Sequence, residues 1–177
     1  LPSGLARISD KAVSLTGEAL HERAMADIRG TLTEGLPSGW SGQAALALRP
    51  SGPQLEPDQC QSQLLGLMGR GRLQFETGRA DISAVSQGLL DNLAFVLNSC
   101  PQARVTIEGH TDSDGPAEFN LDLSKRRADA VAGYLATAGI AAQRLATAGF
   151  GATRPVASND SEAGKARNRR IDFVVSQ

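Results

Sequence analysis

The residues of this chain whose types and spacing could do chemistry lie in one stretch, 107–131, where a strand-like segment gives way to a polar, glycine-containing loop and then to a helix. Strand ends and helix starts are common places for a ligand. Asp112 falls in the loop. Asn120 and Arg127 are seven residues apart on the helix, so they share one face about two turns long, with Leu123 between them. Ala128, Val131 and Leu135 form the apolar stripe of the same helix, and Arg127 sits on its edge. An arginine there can lay its stem along the sheet and carry its guanidinium towards the strand ends. The alternative for a lone arginine is a solvated flank. A carboxylate beside a guanidinium and an amide complements a zwitterion: Asp112 for an ammonium, Arg127 for a carboxylate held by two parallel bonds. That points to an amino-acid-like ligand and no further.

Other chemistries fit less well. His110 has no G-x-S-x-G elbow with it and no nucleophile or metal-ligand companions, so it is expected to fix the loop by hydrogen bonds. Gly69-Arg-Gly71 and Gly149-Phe-Gly151 do not continue into a phosphate-loop pattern. Asp112 and Asp114 share one tight loop, which suits turn formation better than an acid/base pair across a substrate. No cofactor and no catalysis are expected.

Elements must position these residues. The expected order after residue 72 is a short strand over 73–75, a helix over 81–98, a strand over 103–108, a helix over 116–138 and strands over 145–150 and 170–175. A polar loop spans 156–169. This β-α-β-α-β-β order implies an α+β domain with helices packed on one face of a mixed sheet. Pro116 suits a first helical turn and Gly139 a C-terminal cap. Before it, alternation over 6–9 and 12–16, a helix over 18–32 and a strand over 44–48 give a small β-β-α-β unit. Three prolines and a glycine within 49–57 mark a break. The expected organisation is an α/β module over 1–50, a linker and short helix over 51–71, and the main domain over 72–177.

Composition narrows the field. The chain has 177 residues, 41% hydrophobic and 21% charged, with a net charge of −1. A near-neutral balance gives no reason to propose nucleic acid. Aromatic residues are 4%, too few for stacking platforms. No apolar run approaches the ~20 residues of a membrane span. The chain starts at Leu1, so any anchoring segment is expected upstream of it. Cys60 and Cys100 could be separate buried thiols or one disulfide in an oxidising compartment.

The chain resembles the OmpA-like peptidoglycan-associated family. The resemblance rests on Gly109-His-Thr-Asp-Ser-Asp-Gly115, Asn120-Leu-Asp-Leu-Ser-Lys-Arg-Arg-Ala128, Ala148-Gly-Phe-Gly-Ala-Thr-Arg-Pro155, and Ala157-Ser-Asn-Asp160 followed by Arg167-Asn-Arg-Arg-Ile-Asp172. It implies non-enzymatic binding of peptidoglycan through meso-diaminopimelate of the stem peptide. Asp112 and Arg127 fall on the family's ligand-binding aspartate and arginine. Thr111, Asn120, Leu123, Phe75, Glu76 and Thr77 are implied to line the pocket, and Asn168 and Arg170 to border it with Arg169. The first strand departs from the family: Glu76 stands where an aspartate is often found. The resemblance implies a periplasmic or cell-envelope location, and with it a Cys60–Cys100 disulfide. A force-bearing stator or secretion component would use the same fold, and a wall hydrolase is a third reading. Val13-Ser-Leu-Thr-Gly-Glu18 with the helix and strand that follow resembles a BON module. That implies contact with membrane lipid or protein; the alternative is a small packing unit.

Overall fold

The computed structural model describes residues 3–76 and 78–176. The chain divides into two compact units, Leu1–Gly52 and Pro53–Gln177.

In the first unit, β1 (Ser3–Ser9) and β2 (Ala12–Ala19) form an antiparallel hairpin. Asp10 and Lys11 both have positive φ, as the two-residue turn of a right-twisted hairpin requires. Helix α1 (Glu22–Glu34) then returns the chain so that β3 (Ser41–Leu48) pairs parallel to β2. The helix begins four residues later than its apolar stripe suggests, because Glu18 and Ala19 continue the β2 ladder. His21 caps it, its Nδ1 accepting from the Ala24 N–H at 3.2 Å. The buried core here is Ala19, Ala24 and Met25, with Leu46 packed against them.

The second unit is built on a three-stranded mixed sheet. Its central strand β4 (Arg104–Gly109) pairs parallel with β5 (Leu145–Gly149) and antiparallel with β6 (Ile171–Ser176). The register sets Ile107 opposite Phe173 and Val105 opposite Val175, so one apolar face meets the helices. That face is covered by α2 (Pro57–Arg70), α3 (Gln87–Asn98) and α4 (Ala117–Thr137), which bury Leu64, Leu90, Leu93, Leu97, Val131 and Leu135.

Helix α2 is part of this unit rather than a connection. Pro57 occupies its first turn, and Cys60 and Leu64 are fully buried. The Gln61 side-chain amide donates to the Phe173 carbonyl at 2.9 Å and accepts from the Val175 N–H at 2.8 Å. It thereby completes the outer edge of β6 as a neighbouring strand would. Cys60 and Cys100 form a disulfide, with Cα atoms 6.2 Å apart.

Three expectations need correction. Residues 73–75 form no strand: Phe75 makes a single bridge to Ile82. The segment pairs with itself, through Glu76 N–H to the Asp81 carbonyl and Ser83 N–H to the Gln74 carbonyl, and so never joins the sheet. The helix expected from 81 begins at Gln87, after a 3-10 turn at Ala84–Ser86. The loop after Val156 contains a helix, α5 (Glu162–Asn168), capped by the Ser161 Oγ accepting from the Gly164 N–H.

Candidate functional site

Two glycines decide where α4 lies. Gly109 and Gly149 are register partners at the ends of β4 and β5. A Cβ on Gly109 would stand 2.0 Å from the Ser124 carbonyl oxygen, and one on Gly149 would stand 2.5 Å from the Lys125 nitrogen. Only glycine allows this approach, so the helix presses onto the strand ends and opens its Asn120–Leu123–Arg127 face over the loop that follows β4. The Ser124 Oγ locks the arrangement by accepting from the Gly151 N–H at 2.9 Å.

The loop is tied down by its own polar groups. Thr111 N–H donates to the Gly151 carbonyl at 2.9 Å. The Asp112 Oδ1 accepts from the Asp114 N–H at 3.1 Å, and Gly115 has the positive φ that turns the chain into α4. Asn120 is 4% exposed and spends its amide on the Asp114 and Asp112 carbonyls. It braces the loop and offers little to a ligand.

Phe75, Thr111, Asp112, Asn120, Leu123 and Arg127 line one cavity of about 490 Å³. Gly78, Asp114, Phe119 and Arg169 complete the lining. The Arg127 guanidinium lies over the Phe75 ring, 4.9 Å from its centroid, and its Nε donates to the Arg79 carbonyl at 3.0 Å. Among the described residues Arg127 has no carboxylate partner. Burial, then the neighbouring Arg169, lowers its pKa below the ordinary value; Asp112 opposes this and Arg126 adds to it.

Asp112 is not free. Its Oδ2 pairs with the Arg169 guanidinium at 2.5 Å. Asp114 pairs with Lys165 at 2.9 Å. The acidic groups of the site are therefore already matched, while one guanidinium is not. An anionic group of a ligand has an open partner in Arg127; a ligand ammonium must share Asp112 with Arg169.

The remaining expected residues separate. Glu76 is exposed and does not line the cavity. Thr77 lies outside the described residues. Asn168 is fully buried and spent: its Oδ1 accepts from the Val156 and Ala157 N–H groups, and its Nδ2 donates to the Ala157 carbonyl and Asn159 Oδ1. It fixes the loop before α5. Arg170 turns to Asp172, with Nε donating at 2.8 Å, and faces an adjoining cavity. The arginine that reaches Asp112 is Arg169, the residue after α5 ends. The family resemblance implies only that it borders the pocket. Its only signal was its place in the 167–172 motif.

His110 is held otherwise than expected. Neither ring nitrogen has a hydrogen-bond partner among the described residues. The imidazole is 2% exposed and stacks on Phe150 at 5.4 Å. The Arg154 guanidinium lies over the Phe150 ring, 3.5 Å from its centroid. Burial and the nearby Arg170 push the His110 pKa down from 6.5 to about 4, with Asp172 opposing and Arg154 reinforcing. A neutral, packed ring replaces the expected hydrogen-bonded one: burial disfavours its charge, and the Asp172 and Glu108 carboxylates lie 3.4 and 3.8 Å from Nε2 without hydrogen-bond geometry.

The sheet and its covering helices define an α+β domain of known type. The structure matches the peptidoglycan-associated lipoprotein of Burkholderia pseudomallei with a TM-score of 0.56 and 34% identity, covering 60% of this chain and 92% of that one. It also matches the cell wall anchor of the T6SS from Pseudomonas aeruginosa, with a TM-score of 0.55 and 29% identity, over 64% of this chain and 94% of that one. The chain belongs to the OmpA family, whose model matches residues 74–169. The peptidoglycan-binding protein ArfA of Mycobacterium tuberculosis is 38% identical over 136 residues, which is 77% of this chain and 40% of that protein. The chain thus spans less than half the length of that relative, and the likeness extends beyond the family match.

Proposed function

We propose that the chain is a non-enzymatic module that holds peptidoglycan without covalent chemistry, through the diaminopimelate of the stem peptide, and so tethers a cell-envelope protein to the wall. The observation that carries this is Arg127: a guanidinium without an ion-pair partner among the described residues, stacked on Phe75, in a cavity that also holds Asp112. A carboxylate of the ligand closes on Arg127, and the ammonium of the same zwitterionic centre lies against Asp112. The relatives support the wall as the partner: one is a peptidoglycan-binding protein and one a peptidoglycan-associated lipoprotein.

The proposed location is the periplasm or cell envelope. The first unit is proposed to contact membrane lipid or another protein. Similarity to a secretion-system wall anchor favours, as second reading, a secretion component that uses the same wall grip. Co-sedimentation with insoluble sacculi tests the main reading, with an assay of released muropeptides alongside. Retention without soluble products is expected. No retention contradicts the binding, and soluble muropeptides contradict the non-enzymatic reading.

A further inference from the structure

Beside the cavity at Asp112 lies a second one, of about 360 Å³, and its lining carries Arg72, Arg127, Arg169 and Arg170. Phe75 and Ala166 contribute to its walls, and among the described residues no acidic side chain does. Phe75, Arg127 and Arg169 line both cavities, so the two are contiguous across that wall. The charge of the second cavity is only partly matched from outside it. Arg169 pairs with Asp112 and Arg170 with Asp172. Arg72 donates through Nη1 to the Ala166 carbonyl at 3.0 Å, and Arg127 through Nε to the Arg79 carbonyl. Neither of these two has a carboxylate partner among the described residues. Each guanidinium has five N–H donors, so donors remain after these bonds are counted.

Four guanidinium groups around one recess repel each other unless an anion sits among them. A recess this size holds more than one carboxylate, so it can admit a peptide unit as well. On the proposed reading, the zwitterionic end of diaminopimelate occupies the neighbouring cavity. The residue joined to it in the stem is a γ-linked glutamate, whose α-carboxylate is free. The glutamate is joined through the end of diaminopimelate opposite its zwitterionic centre, so about nine bonds, on the order of 10 Å when extended, separate that centre from the glutamate α-carbon, a reach from one recess into the next.

We infer that the cavity of Arg72, Arg127, Arg169 and Arg170 is an anion subsite that takes the second carboxylate of the stem peptide, the glutamate α-carboxylate beside diaminopimelate. The inference rests on the wall-binding reading above. It makes the protein a reader of the amidation state of its ligand: a stem whose glutamate carries a primary amide loses the charge that this subsite grips.

The test is a calorimetric titration of the full chain with L-Ala-γ-D-Glu-meso-diaminopimelate. One peptide carries a free glutamate α-carboxyl and the other its primary amide. The amide should bind roughly tenfold more weakly, since a charge-assisted hydrogen bond becomes a neutral one. Arg72 lines only the second cavity. Arg72→Gln should weaken the acid peptide by about the same factor and leave the amide peptide unchanged, while Arg72→Lys restores part of the loss. The comparison of two peptides on the unsubstituted protein needs no variant to fold. Equal binding of acid and amide overturns the subsite but leaves the first cavity standing. No binding of either peptide overturns both.

Discussion

The two units of this chain are built from the same kinds of element and differ in what those elements enclose. In the first, one helix covers a three-stranded sheet, and the buried apolar residues are Ala19, Ala24, Met25 and Leu32, with Leu46 partly buried beside them. Every described residue of β1 is exposed, with Leu5 53% and Ile8 69% accessible. In the second, three helices cover a sheet of the same strand number, and leucines from all of them are fully buried. A disulfide joins α2 to the residue pair after α3. The lesson is that a binding site needs a stiff frame. Asp112, Arg127 and Arg169 keep their geometry because α4 is pressed onto two glycines and the loops are stitched to buried amides. Among the described residues of the first unit neither a disulfide nor a comparable set of buried leucines supports such a frame.

The largest test of this contrast removes the disulfide. It closes a loop of 40 residues, worth roughly 4 kcal/mol in the chain-entropy view. Cys60→Ala with Cys100→Ala should lower the stability of the second unit by about that amount and leave the first unit unchanged. Denaturant unfolding of the full chain, followed by Trp40 fluorescence for the first unit and by Tyr134 for the second, separates the two. Equal losses in both units would break the comparison.

A second test uses pH. His110 in the folded chain has its pKa lowered to about 4, below its ordinary 6.5. The unfolded chain therefore takes up the proton more readily. The stability owed to neutral His110 is complete above about pH 6.5 and is lost as pH falls towards 4. At about pH 4.5 the loss should be roughly 2 kcal/mol. His110→Phe keeps the stack on Phe150 and should flatten this part of the pH profile of the second unit. An unchanged profile would show that the ring is not the titrating group.

A smaller effect is expected in the first unit. His21→Ala removes the cap of α1 and should cost about 1 kcal/mol. In a unit with so little buried surface this should visibly broaden or lower its thermal transition. The second unit should not respond.

Much of this arrangement could be read from the residues. The alternation at Val105 and Ile107 and the stripe Ala128, Val131 and Leu135 are local patterns that carry through to the fold; Asp112 and Arg127 do line one cavity, but the guanidinium paired with Asp112 is that of Arg169. What was hidden depends on distant partners. The segment at Phe75 reads as a strand, yet its hydrogen bonds go to residues 81–83. Helix α5 has seven residues and a glycine pressed against the Ser158 carbonyl, so it shows no apolar period. The choice of Arg169 over Arg170 turns on how the chain leaves α5, with Arg169 at φ −72 and ψ 84. No spacing rule reports that.

The central claim is that Arg127 grips the ligand, and its neighbour supplies the control. Arg126 pairs with Asp122 on the outer face of α4 at 2.7 Å, a surface contact of little energetic weight. Asp112→Asn is a less clean probe, because it also breaks the pair with Arg169. The direct measurement is a calorimetric titration of a soluble diaminopimelate stem peptide into the unsubstituted chain, Arg127→Ala and Arg126→Ala. Loss of a charge-assisted bond of about 1.5–3 kcal/mol predicts that Arg127→Ala weakens binding roughly ten- to a hundredfold, while Arg126→Ala stays within about twofold. Equal losses in the two variants, or none in either, would contradict the account.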